Sequence, residues 1–446
     1  MFELILRGAQ VVSASGMRHA DLAIAQGRIA AVLMPDQAAP ALEQRQLHGC
    51  LLLPGLVDAH VHLCDPGLEH KEDFESGTRA AIAGGMTTLL DMPTDDPWTA
   101  SPQDLQAKAA LASGRLHADV GLQVAVRHDG QYLDELLDMR PVSFELFTAW
   151  APERFLHDNQ ERLVRSLQRL AAHDVLACVS PGDHSIQSQP FGTGDPDPQR
   201  SAIDAFLLCR PPVAEATGVA RAILAAAATQ ARVHIRQANS GLSLQTWRRL
   251  KDMADVSLEA TPQSLLFNAS DYQRHGNYLK AAPPMRSHDE VEQLRSALRD
   301  GLIDMMVTDH SPHSPAEKDP GRVSFADAPL GIPGVQTLLF TMLHLVQRGD
   351  IDLPALVRLC ATNPARRFGL GGRKGALEVG HDADIIVLDP KASTTLRNAD
   401  QLSRAAYTPF DGLDVPWAVR EVLLRGRTVS TYGSGPIGAL SGRVLS

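Results

Sequence analysis

The sequence predicts an α/β fold of the TIM type, a (β/α)8 barrel, joined to a small β-sandwich built from both ends of the chain. Three observations predict it. Strand-like and helical runs alternate across residues 55–369 at spacings that suit βα units. Both termini read instead as short strands between Gly, Ser and Pro turns. A chain of 446 residues has room for one large barrel and a satellite.

Taken in order, residues 1–54 supply FELILRGAQVV, DLAIAQGRIAAVL and QLHGCLLLPG, and the tail from 370 to 446 answers with ADIIVLDP, WAVREVLLRGRTVSTYG and GRVLS. These two segments are expected to form the sandwich. Between them the candidate barrel strands are Gly55–Leu63, Met86–Met92, Asp119–Ala125, Ser143–Thr148, Val175–Ser180, Arg232–Ala238, Val256–Thr261 and Asp304–Thr308. Helical patterns fall between them at Phe74–Ala83, Glu161–Ala172, Val213–Ala228 and His288–Asp300. Chemistry on such a barrel sits at the carboxyl ends of the strands. Ser185–Pro198 is polar and rich in Gly and Pro, and reads as a surface loop rather than a lid.

Composition narrows the partners. Hydrophobic content of 44% with 21% charged residues is that of a soluble globular protein. A net charge of −10 without any Lys/Arg-rich block argues against nucleic acid and anionic membranes. The five cysteines lack CxxC spacing and read as reduced thiols. The N-terminus alternates like a strand rather than a signal peptide, and no apolar run reaches membrane-spanning length. The expected compartment is the cytoplasm.

The stretch that carries chemistry is GLVDAHVHLCDPG, Gly55–Gly67. Its period-2 alternation puts His60 and His62 on one face, and Asp65-Pro66-Gly67 ends the strand just beyond them. Two imidazoles at a strand's carboxyl end can grip one divalent metal. HxH alone is a weak motif.

In its full context the stretch resembles the first barrel strand of the amidohydrolase superfamily, especially its cyclic-amide hydrolases: dihydroorotase, allantoinase and hydantoinase or dihydropyrimidinase. FESGTRAAIAGGMTTLLDMP (Phe74–Pro93), KAAPPMR (Lys280–Arg286), VTDHSPHSPAEK (Val307–Lys318), ATNPARRFGL (Ala361–Leu370) and KGALEVGHDADIIVLDP (Lys374–Pro390) follow in the family's order and cover nearly the whole chain. The resemblance implies a barrel beside a small β domain, a small-molecule substrate, a divalent metal and a homo-oligomer.

It also implies six ligand positions, which this sequence fills unevenly. His60 and His62 match the first-strand pair. Asp309 matches the strand-eight aspartate, which binds metal and shuttles the proton from attacking water to the leaving nitrogen. Where the family carries a carbamylated lysine at the end of strand four, SFELF places Glu145, a carboxylate able to reach a metal without that modification. The two remaining histidine positions hold Cys178, in ACVSPGD, and Gln237, in HIRQAN. Cysteine can bind zinc, but a lone buried thiol is more often apolar filler. His234 reads as a core or supporting histidine rather than a ligand, and alternation points Arg236 outward. The first metal position thus survives and the second is dismantled. One divalent ion per chain is expected, zinc first, manganese or iron otherwise, with no carbamylated lysine.

Dihydroorotases hold their substrate carboxylate with an arginine and two asparagines, whose positions here carry Cys64, Thr94 and Ala282. Dihydroorotate is therefore an unfavourable substrate by this reading. Asn239, Gln263 and His313 are further polar groups near expected strand ends. The leading expectation is metal-dependent hydrolysis of a cyclic amide, imide or ureide, with Asp309 as acid and base. One alternative is a catalytically silent dihydroorotase-like subunit that scaffolds or regulates a partner enzyme. Another is a binding protein that keeps the pocket without turnover.

Overall fold

Alternating apolar residues decide how the terminal segments pack. In Leu51–Pro54, Ile385–Asp389 and Ala418–Leu424, successive side chains face opposite sides of one sheet, and both sides are largely buried. Leu52, Ile385, Val387 and Leu423 pack against Leu4, Leu6, Leu22, Ile24 and Ile29 of a second sheet. Leu51, Leu53, Ile386, Leu388, Val422 and Leu424 turn the other way, into the apolar core shared with the barrel. One sheet therefore serves as the wall between two cores. The computed structural model describes residues 1–187, 201–431 and 435–445.

The second sheet has four strands, in the order Arg28–Leu33, Asp21–Ala25, Phe2–Arg7 and Ala41–Gln46. The dividing sheet has seven, and takes Leu51–Pro54, Gln10–Ser13 and Gly16–His19 from the N-terminal segment and the rest from the C-terminal one. The barrel strands are Leu56–Val61, Met86–Asp91, Asp119–Ala125, Ser143–Phe147, Leu176–Ser180, Arg232–Ile235, Val256–Ala260 and Met305–Met306, each parallel to the next. The circle closes where the His62 N–H donates to the His310 carbonyl at 2.8 Å. Helices Phe74–Ala83, Gln160–Ala171, Pro212–Thr229 and His288–Arg299 lie where the sequence predicts helical runs. Among the described residues no helix is long and apolar enough to cross a membrane.

The last strand departs from expectation. GRVLS was expected in the sandwich, yet Val444–Leu445 pairs in parallel with Val120 and Gly121 of the third barrel strand. The reason is an open edge: the fourth strand begins its pairing only at Gln123, which leaves the start of the third strand free for the tail. The Val120 N–H donates to Arg443 O, and the Gly442 N–H to Leu116 O, both at 2.8 Å. A Cβ at Gly442 would run into the Ala118 carbonyl, so this close approach requires glycine.

Two buried ion clusters lock the frame. Asp119, Asp382 and Asp384 converge between barrel and sheets. Lys374 fills that space, with Nζ 2.6 Å from Asp119 and Asp384 and 3.1 Å from Asp382. An ammonium, not a metal, satisfies those carboxylates. Lys108, fully buried, bridges Asp91 and Asp95 at 2.7 and 2.6 Å and donates to Met92 O, which fixes the turn that carries Thr94. Of Ser185–Pro198, only 185–187, the end of the short helix His184–Gln187, is described; the remainder lies outside the described residues.

Candidate active site

His60 is the penultimate residue of the first barrel strand, and His62 follows that strand directly. The alternation that carries Val61 into the core aims both imidazoles at the strand-end face. Their Nε2 atoms lie 3.2 and 3.5 Å from the same oxygen, Asp309 Oδ1. The opposite nitrogens are already engaged. His60 Nδ1 donates to Glu259 Oε1 at 2.6 Å, and His62 Nδ1 pairs with Thr94 Oγ1 at 2.8 Å. Fixing Nδ1 in this way orients each ring and leaves the Nε2 lone pairs facing the carboxylate. Asp309 sits at φ +49 and Gln237 at φ +50, so both chains turn sharply at their strand ends. That turn brings Gln237 Nε2 onto Asp309 Oδ2 as a hydrogen-bond donor.

The electrostatics favour cations here. Burial pushes the His60 imidazole down, but the Asp309 and Glu259 carboxylates outweigh it and hold His60 above its ordinary value. Burial dominates at His62, which lies below its ordinary value. Glu259 is held well below the usual carboxylate range: burial opposes ionisation, but His60 and Arg236 overcome it.

Beneath this cluster the barrel interior is charged. Arg236 is fully buried, with Nη2 3.0 Å from Glu145 Oε2 and Nη1 3.2 Å from Glu259 Oε2. It also donates to Gln123 Oε1 at 2.6 Å and Ala59 O at 2.9 Å. The outward direction expected for Arg236 is therefore corrected. Val233 and Ile235 point into the apolar core, so period 2 keeps Arg236 inside with His234, and the left-handed turn at Gln237 brings that next side chain inward as well.

Glu145 is corrected with it. Expected as a metal ligand, it stands outside the His60–His62–Asp309 cluster. Its Oε2 is taken by Arg236, and its Oε1 accepts from Ser180 Oγ at 2.7 Å. A buried carboxylate facing a guanidinium gains more from that pairing than from standing free. His234 lies in the same layer, 2.8 Å from both Ser257 Oγ and Glu259 Oε2. Cys178 belongs to an apolar cluster with Ala59, Leu90, Met305, Val307 and Phe368, and burial pushes its thiol up to about 12.

A cavity of about 220 Å³ opens over the cluster, lined by His60, His62, Gln237, Asp309 and Ala282 together with Phe147, Trp150, Arg210 and Leu330. The other expected pocket residues stand elsewhere. Cys64 lies in the chain reversal after His62, its thiol 3.7 Å from the His62 carbonyl. Thr94 is spent on His62. Asn239 and Gln263 line a small adjoining cavity with Gln237, Asp309 and Ala282, and their side chains donate to Pro284 O and Thr308 O. His313 pairs with Leu330 O at 2.8 Å, and burial pushes it down to about 4. Sequence reasoning missed Glu259 and the true setting of Arg236. The signal was there: a carboxylate at an inward position of the buried strand VSLEA needs a cation nearby.

Residues 51–142 and 213–429 match the amidohydrolase family model. The chain belongs to the amidohydrolase family. An allantoinase of Streptomyces avermitilis is 35% identical over 455 residues, covering 100% of this chain and 98% of its own length. A dihydroorotase of Halobacterium salinarum is 34% identical over 400 residues, covering 88% of this chain and 89% of its own. Among solved structures, an L-hydantoinase (dihydropyrimidinase) of Arthrobacter aurescens superposes with a TM-score of 0.92 at 29% identity, covering 100% of this chain and 99% of its own.

Proposed function

We propose that the chain hydrolyses a C–N bond in a cyclic amide, imide or ureide, with one divalent metal held by His60, His62 and Asp309. The observation that carries this reading is the convergence of two Nε2 atoms on one carboxylate oxygen, with each ring's other nitrogen already anchored. Two imidazoles and a carboxylate are a fitting donor set for zinc, and manganese or iron suit the same atoms. An ion bound there supplies Lewis acidity, which lowers the pKa of a water and polarises a ring carbonyl.

The remaining chemistry belongs to the chain. Asp309 accepts the proton from the attacking water and returns it to the ring nitrogen as the bond breaks. Gln237 holds Asp309 Oδ2, which keeps Oδ1 turned towards the histidines. Glu259 and Thr94 prevent the rings from rotating. Phe147, Ala149, Trp150 and Pro181 give the cavity an apolar wall against which a flat ring can lie.

A single metal is favoured by Arg236, whose guanidinium already neutralises Glu145 and Glu259. The relatives' names allantoinase, dihydroorotase and hydantoinase favour a ring-opening hydrolase over a silent subunit. The test is ring opening by protein stripped of metal and reloaded with zinc or manganese, assayed on hydantoin, dihydrouracil and allantoin. Metal-dependent turnover that disappears in Asp309→Asn protein is expected. A metal-loaded protein inert on every such ring would overturn the reading in favour of the scaffold.

A further inference from the structure

Four arginines are buried among the described residues: Arg7, Arg210, Arg236 and Arg286. Three have a carboxylate. Arg7 pairs with Asp21 at 2.7 Å, Arg236 with Glu145 and Glu259, and Arg286 with Glu215 at 3.0 Å. Arg210 is 9% exposed, yet no carboxylate among the described residues faces it, and its Nε is buried without a hydrogen-bond partner. It lines the same cavity as His60, His62 and Asp309.

The arginine is also held in place. Its guanidinium lies 4.3 Å from the centre of the Trp150 ring and 4.5 Å from that of Phe206. Its backbone carbonyl accepts from Arg286 Nη1 at 2.6 Å, and Glu215 fixes Arg286 in turn. Aromatic faces orient a guanidinium without neutralising its charge. A buried guanidinium with no counter-ion is costly, and the fork of its donors matches a carboxylate. The positions at which resemblance to dihydroorotases implies anion contacts carry Cys64, Thr94 and Ala282, and the first two are turned to other uses.

We propose that Arg210 is the substrate-anion clamp of this pocket, so that the substrate is a cyclic amide or ureide bearing a carboxylate. This rests on the hydrolase reading, but its test does not depend on turnover. The probes are a hydantoin carrying an acetate side chain and its neutral carboxamide, and the readout is the ratio of their dissociation constants by calorimetry. Full-length metal-loaded protein is expected to favour the acid on the order of 10- to 100-fold. The ratio should collapse towards unity in Arg210→Gln and recover in part in Arg210→Lys.

A bound metal also attracts carboxylates, so the same ratio is measured in His60→Ala/His62→Ala protein, where the preference is expected to persist. A wild-type ratio near unity would overturn the clamp, and needs no variant to fold. So would a preference lost with the histidines but kept in Arg210→Gln. If the acid binds selectively through Arg210 while no ring is opened, the hydrolase reading fails and the clamp stands.

Discussion

Two charged layers lie one above the other in the barrel, and they differ in what is left unsatisfied. In the lower layer, Arg236 is enclosed by Glu145, Glu259, Gln123 and a backbone carbonyl. Every strong donor there faces an acceptor. In the upper layer, His60, His62 and Asp309 present three electron-pair donors to one another across 3.2 and 3.5 Å. Such donors gain from a cation between them. The lower layer builds the barrel and the upper one is open for chemistry, and Glu259 belongs to both because it touches Arg236 and His60. A charged residue is thus assigned by its unsatisfied atoms, not by its type.

Substitutions can break that contrast. The largest effect is expected for Asp309→Asn, which removes the proposed acid–base group and should lower kcat on the order of 10²- to 10⁴-fold while the chain stays folded; steady-state kinetics with a denaturation control checks it. Arg236→Met should act the other way. It leaves buried Glu145 without a cation and Glu259 with imidazole partners alone, and should cost about 3–5 kcal/mol of stability in urea unfolding. Glu259→Gln weakens the anchor of His60 and should lower metal affinity on the order of 10- to 100-fold by competition with a chelator. Thr94→Val removes the neutral partner of His62, and about a tenfold loss in the same assay is expected. If Glu259→Gln left metal affinity unchanged, the lower layer would not be supporting the upper one.

Much of this was legible in the sequence, for a physical reason. Barrel strands are short stretches rich in apolar and β-branched residues between helical patterns, and MTTLLD (Met86–Asp91) and DVGLQVA (Asp119–Ala125) read as strands on that ground. The placement of His60 and His62 also follows from period 2, because both lie on or immediately after a regular strand. Legibility ends where the strand ends. Counting back from Gln237 sends Arg236 outward, whereas counting from His234, which meets Glu259 inside the barrel, keeps Arg236 inside; the left-handed turn at Gln237 breaks the period between them. Glu145 misled for a different reason: a carboxylate at a ligand position looks like a ligand until its partner, 91 residues away in sequence, is known. The tail strand Val444–Leu445 was illegible as part of the barrel, since pairing with an edge opened by the offset between two other strands leaves no local pattern.

The central claim is that the upper layer holds one metal ion while Arg236 occupies the role of a second cation. Elemental analysis of metal-saturated protein, wild type beside His60→Ala/His62→Ala, tests it most directly. One ion per chain, absent from the double variant, is the predicted result. Two ions per chain would contradict it, because Glu145 or Cys178 would then have to leave the partners described here and bind metal.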